Sequence, residues 1–182
     1  MCGSCKNCSL GEPGYYHLHV SVEETDYNNF YTLCNSLGIE PVVISSKGKN
    51  YCMTNEKYAG TLEGAITKLS SISVALISAG YTPTRLKIEL RFDNQVALPN
   101  QYYEAHYTTN NENVLYWAEC NGYIIAKNIR KTDSGLVSIR THSLTRYQEL
   151  LEQLISTVPA GKLIQEFVIL DTNPTLDADW TV

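Results

Sequence analysis

Tyr15-Tyr16-His17-Leu18-His19-Val20-Ser21-Val22 alternates without a break: Tyr16, Leu18, Val20 and Val22 fall on one side, and Tyr15, His17, His19 and Ser21 on the other. A period of two over eight residues is that of a half-buried strand with one apolar and one polar face. Tyr102-Tyr103-Glu104-Ala105-His106-Tyr107-Thr108-Thr109 aligns with it without gaps, 87 residues further along. Cys34-Asn35 then meets Cys120-Asn121, Leu76-Ile77-Ser78 meets Leu154-Ile155-Ser156, and Arg85–Asp93 meets Lys162–Asp171 with one insertion. Matches that recur in the same order read as an internal duplication.

Outward from Tyr15–Val22 the pattern changes period. Tyr27, Phe30, Tyr31, Cys34 and Leu37 repeat with helical spacing and stop at Gly38, a favourable helix C-terminus. Pro41–Ser45 and Asn50–Asn55 read as short strands around Ser46-Lys47-Gly48-Lys49, a second helical stripe runs from Leu62 to Ile77, and Arg85–Phe92 alternates again. The second half reads as strand 102–109, helix 112–121, strands 123–130 and 136–142, helix 144–157 and strand 162–170. The expected class is α+β: two ferredoxin-like βαββαβ halves, 15–98 and 99–182, packed as a pseudo-dimer behind a Cys-rich segment 1–14. The short joint Leu98-Pro99-Asn100-Gln101 favours one compact unit over two independent domains.

Composition narrows the function. Of 182 residues 43% are hydrophobic and 18% charged, and 14 basic against 19 acidic side chains give a net charge of −5. That is enough apolar material for a core, and no basic run is available for general attraction to nucleic acid or anionic lipid. The sequence shows no stretch near the ~20 apolar residues of a membrane helix and no apolar signal-peptide core, so the expected setting is cytoplasmic.

If the apolar strand faces lie under helices, the polar faces carry the chemistry. They present His17, His19 and Ser21 with Lys87 and Glu89 in the first half, and Glu104, His106, Thr108, Arg140, His142 and Glu166 in the second. All four histidines of the chain are in this set. The two faces either pack against each other, making a cleft, or join edge to edge as one exposed surface. Three chemistries suit the residues. His17, His19, Glu104 and His106 offer a nitrogen and oxygen set for zinc, iron or manganese. Phosphoester chemistry is the second: His19 and His106 can serve as acid and base beside Glu89 while a hydroxyl of Ser21 or Thr108 and Lys87 or Arg140 hold phosphate oxygens, with His142 and Glu166 completing the small-molecule site. The third is anion binding without turnover, by Arg85, Lys87, Arg91 and Arg140, in a non-catalytic ligand-binding or interaction module.

His19-Val20-Ser21 and His106-Tyr107-Thr108 are paired His-x-Ser/Thr tripeptides. In this the chain resembles the 2H phosphoesterases, and the resemblance implies phosphodiester cleavage by His19 and His106. It covers six residues, and His19 lies on the first strand where that family's first motif follows an initial strand and helix. Cys2, Cys5 and Cys8 form a separate Cys-x-x-Cys-x-x-Cys that offers thiolates to a soft metal, while Cys34, Cys52 and Cys120 read as core residues. Asp171, Asn173, Asp177 and Asp179 read as turn residues or as oxygen ligands for calcium or magnesium, with Trp180 sealing the core. Phosphate-binding glycine loops, the Gly-x-Ser-x-Gly elbow and His-Glu-x-x-His are absent from the sequence.

Overall fold

The structure is a computed structural model that describes residues 13–176 apart from 24, 47, 93–95, 130–133 and 160. Cys2, Cys5, Cys8, Asp93, Asp177, Asp179 and Trp180 lie outside the described residues.

Local sequence sets the elements. The alternating stretch is β1 (Gly14–Val22), followed by α1 (Tyr27–Ser36), β2 (Glu40–Ser46), β3 (Lys49–Gly60), α2 (Leu62–Ser78) and β4 (Pro83–Arg91). Then come β5 (Tyr102–Thr109), α3 (Glu112–Cys120), β6 (Ile124–Asn128), β7 (Gly135–Thr141), α4 (Leu144–Thr157) and β8 (Lys162–Asp171). Each helix begins at a side-chain cap that accepts from its unpaired N–H groups: Asp26, which takes two, and Thr61, Asn111 and Ser143, which take one each. The turn into β5 holds Asn100 at φ 75°, a left-handed conformation that asparagine tolerates.

The strands close into one antiparallel barrel in the order β1-β3-β2-β6-β7-β5-β8-β4. This corrects the expected pair of ferredoxin-like halves packed as a pseudo-dimer. In place of two packed modules there is a single ring of eight strands with four helices among the described residues. The expected duplicated arrangement leaves β2, β4, β6 and β8 with unpaired backbone. Pairing β2 with β6 and β4 with β8 abolishes all of those edges at once. The choice between a face-to-face cleft and an exposed surface therefore falls away, because the polar faces become the barrel's inner wall.

Two apolar cores lie between barrel and helices. Tyr16, Leu18, Val20, Phe30, Cys34, Val43, Leu69 and Ile88 belong to the first, and Tyr103, Tyr107, Val114, Val137, Tyr147 and Phe167 to the second. Cys34 and Cys52 are buried, whereas Cys120 is exposed, against its reading as a core residue. Among the described residues no helix is long and apolar enough to cross a membrane.

Candidate functional site

With the outer faces committed to the helices, the alternate residues of each strand point into the barrel and leave a cavity of about 400 Å³. An eight-stranded barrel is just wide enough inside for packed side chains or one small ligand. The lining divides by strand. β1, β4, β8 and β5 are consecutive in the ring and supply His17, His19, Lys87, Glu89, Glu166, Glu104 and His106. The opposite strands contribute Val42 and Ile44 of β2, Met53 of β3, Ile124 of β6 and Leu136 of β7, together with the polar Glu40, Asn55, Lys57, Asn128, Ser138 and Arg140. One half-wall is thus charged, and the other sets an aliphatic patch among polar side chains.

Register fixes the charged half. His17 lies opposite Glu89 and His19 opposite Lys87 on the β1–β4 pair, and Glu104 lies opposite Glu166 on β5–β8. His17 Nδ1 meets Glu166 Oε1 at 2.6 Å. His19 has an oxygen partner at each ring nitrogen, the Thr54 carbonyl at Nδ1 and Glu89 Oε2 at Nε2, both at 2.9 Å. His106 Nδ1 lies 2.9 Å from Ser138 Oγ, and its Nε2 is 3.5 Å from Glu104 Oε2 and 4.0 Å from Glu166 Oε2. The Lys87 ammonium donates to Glu104 Oε2 at 2.9 Å and also contacts Glu89. At one end Arg85 grips Asp171 through Nε at 2.9 Å and Nη2 at 2.6 Å, while Arg140 stacks 4.0 Å over the Tyr102 ring and reaches Asp171 at 3.5 Å.

For His17, Lys87, Glu89, Glu104, His106 and Asp171 burial opposes the charge, and the neighbours override it. Burial favours neutral carboxyls, yet Lys87 and His19 hold Glu89 well below the usual carboxylate range, and Lys87 with His106 brings Glu104 down to about 2. Lys87 is likewise driven above its usual value by Glu104 and Glu89 despite its burial. The Glu166 hydrogen bond raises His17, and for His106 the bond and charge of Glu104 outweigh the desolvation. Asp171 is lowered by Arg85 against its burial, and burial pushes the Tyr102 hydroxyl up.

Of the residues singled out from sequence, His17, His19, Lys87, Glu89, Glu104, His106, Arg140 and Glu166 line this one cavity. Ser21 is buried in register with Met53 and Arg85, Thr108 is half-buried opposite Leu136 and Lys162, and neither is among the lining residues. His142 follows the end of β7, exposed, with its Nδ1 2.9 Å from the Gln101 carbonyl. The proposed metal quartet His17, His19, Glu104 and His106 does not assemble as a set. The group of donors that does, among the described residues, is His17, Glu89 and Glu166. Asp171 pairs with Arg85 and accepts the Asn173 N–H at 3.0 Å, as a turn residue does. Sequence reasoning missed Ser138, although the alternation that marked Arg140 on β7 reaches it two residues earlier. It also missed the aliphatic patch, whose signal is Val42-Val43-Ile44, apolar on both faces of β2.

No protein-family model matches the chain, and no curated protein matches it. A crystal structure from Fusobacterium nucleatum subsp. nucleatum, described as a "Putative monooxygenase", is similar at 10% identity over 90% of this chain and 95% of its own, with a TM-score of 0.31.

Proposed function

We propose that the barrel is a cytosolic small-molecule site for a neutral, oxygen-bearing amphipathic compound, with acid–base chemistry at its charged wall. The observation that carries this reading is the two-sided lining of the cavity. A volume of about 400 Å³ lies within the roughly 300–1,000 Å³ of small-molecule sites. Val42, Ile44, Ile124 and Leu136 suit an apolar body, and the histidine–carboxylate pairs opposite suit one carbonyl or hydroxyl group. His106 is the proton-transfer group best placed for it: Ser138 and Glu104 orient the ring from its two nitrogens. Free thiols at Cys34, Cys52 and Cys120 accord with a reducing compartment.

The geometry favours a neutral ligand over a phosphate. Lys87 is engaged by Glu89 and Glu104, and Arg140 by Asp171 and the Tyr102 ring, so an incoming anion has to compete with carboxylates already in contact. Small cyclic ketones and phenols, and phosphate monoesters of matched size, separate the two readings by thermal shift and ligand-observed NMR. Saturable binding of the neutral compounds is expected, and Ile44→Trp, which fills the cavity from the aliphatic side, should abolish it. Tighter binding of the phosphates would reverse the assignment, and neutral binding untouched by Ile44→Trp would place it outside the barrel.

A further inference from the structure

We infer that His17, Glu89 and Glu166 hold one divalent transition-metal ion at the charged wall. Each residue offers one donor atom, and the three atoms lie within 4.8 Å of one another. Donors bound to one ion at ~2.1 Å lie no more than about 4.2 Å apart, so a small side-chain adjustment completes the set. The spacing is fixed by backbone pairing, since the residues stand on β1, β4 and β8, consecutive strands of the ring. His17 is opposite Glu89, and Glu166 is opposite Arg91 on the next strand.

Binding the ion would exchange the His17–Glu166 hydrogen bond for bonds to the ion. Glu89 also has the outer support that a metal ligand needs, because His19 Nε2 lies 2.9 Å from its Oε2. One imidazole and two carboxylates form a borderline-to-hard donor set that suits manganese, iron or zinc.

The inference deepens the ligand-site reading, supplying a Lewis acid beside the ligand's oxygen, but its test is separate. Full-length protein purified without an affinity tag and stripped with chelator would be titrated with Mn²⁺, followed by calorimetry and electron paramagnetic resonance. One Mn²⁺ per chain is expected. Glu166→Gln and His17→Gln should weaken it by more than the ~10–100-fold typical of losing an outer-shell partner. Cys2→Ser/Cys5→Ser/Cys8→Ser should leave it unchanged. Far-UV dichroism identifies any variant that fails to fold, and either of the two ligand variants suffices. Absence of stoichiometric Mn²⁺, binding undiminished in both ligand variants, or binding lost only with the cysteines would overturn the site. Neutral compounds bound by protein that takes up no Mn²⁺ would overturn the metal site alone, whereas Mn²⁺ uptake by protein that binds no neutral compound would support it.

Discussion

The barrel is closed at two seams, and they are built from different material. At β4–β8 the register runs from Lys87↔Asp171 to Arg91↔Glu166 across a bulge, with Arg85 bidentate on Asp171 and Leu86 and Thr172 bonded in both directions. At β2–β6 the register has two pairs, Ile44↔Asn128 and Ser45↔Lys127, with the Ile129 N–H on the Val43 carbonyl and the Ser46 hydroxyl on the Ile125 carbonyl, both at 3.0 Å. The first seam lies within the charged half-wall and the second beside the aliphatic patch of Val42, Ile44 and Ile124. Charges at hydrogen-bonding distance need backbones fixed to fractions of an ångström, whereas an aliphatic patch tolerates slack. The stiff seam therefore follows the site.

The sharpest way to break that contrast is at Lys87, whose ammonium contacts Glu89 and Glu104 at the centre of the charged wall. Lys87→Met leaves two carboxylates facing each other without their shared cation. Removing one partner of a buried ion pair costs about 3–5 kcal/mol, and that loss is expected in urea denaturation. Adding Glu104→Gln should recover part of it, since the two sites share one interaction. A loss under ~1 kcal/mol would mean that the wall does not depend on its charge balance.

How much of this was legible can be argued residue by residue. The alternation of β1 and β4 separates His17, His19, Lys87 and Glu89 from the apolar set, because side-chain period is a local property of a strand. It says nothing of which edge meets which. The Ile44–Asn128 and Lys87–Asp171 pairings join residues more than 80 positions apart and leave no local trace, so closure is invisible in a sequence that reads as two halves. His142 shows another limit, since β7 ends at Thr141 and a one-residue error in a strand boundary moves a side chain from wall to solvent. Asp171 reads as a turn residue, and only closure brings Arg85 to it.

Acid provides a second separation of the seams. The Asp171 carboxyl is held below the ordinary range by Arg85, so it contributes stability that is complete above the unfolded aspartate value of ~3.9 and is lost as pH falls through its lower folded value. Asp171→Asn lacks this titration. Wild type should be the more stable protein at neutral pH, and its advantage should shrink as pH drops from ~4 towards ~2. Glu89 and Glu104 titrate in both proteins and cancel from the difference. An advantage that stays constant over that range would show that Arg85 gains nothing from the Asp171 charge.

The smallest effect belongs to the other seam. Ser46 is buried, and its hydroxyl donates to the Ile125 carbonyl across β2 and β6. Ser46→Ala removes one neutral hydrogen bond, worth about 0.5–1.5 kcal/mol, and leaves the Val43–Ile129 bond in place. Because Ser46 does not line the cavity, Mn²⁺ affinity should be unchanged while hydrogen exchange at Ile129 speeds up. A drop in Mn²⁺ affinity would show that opening at β2–β6 propagates round the ring to His17 and Glu89, and the two seams would then have to be regarded as one mechanical unit.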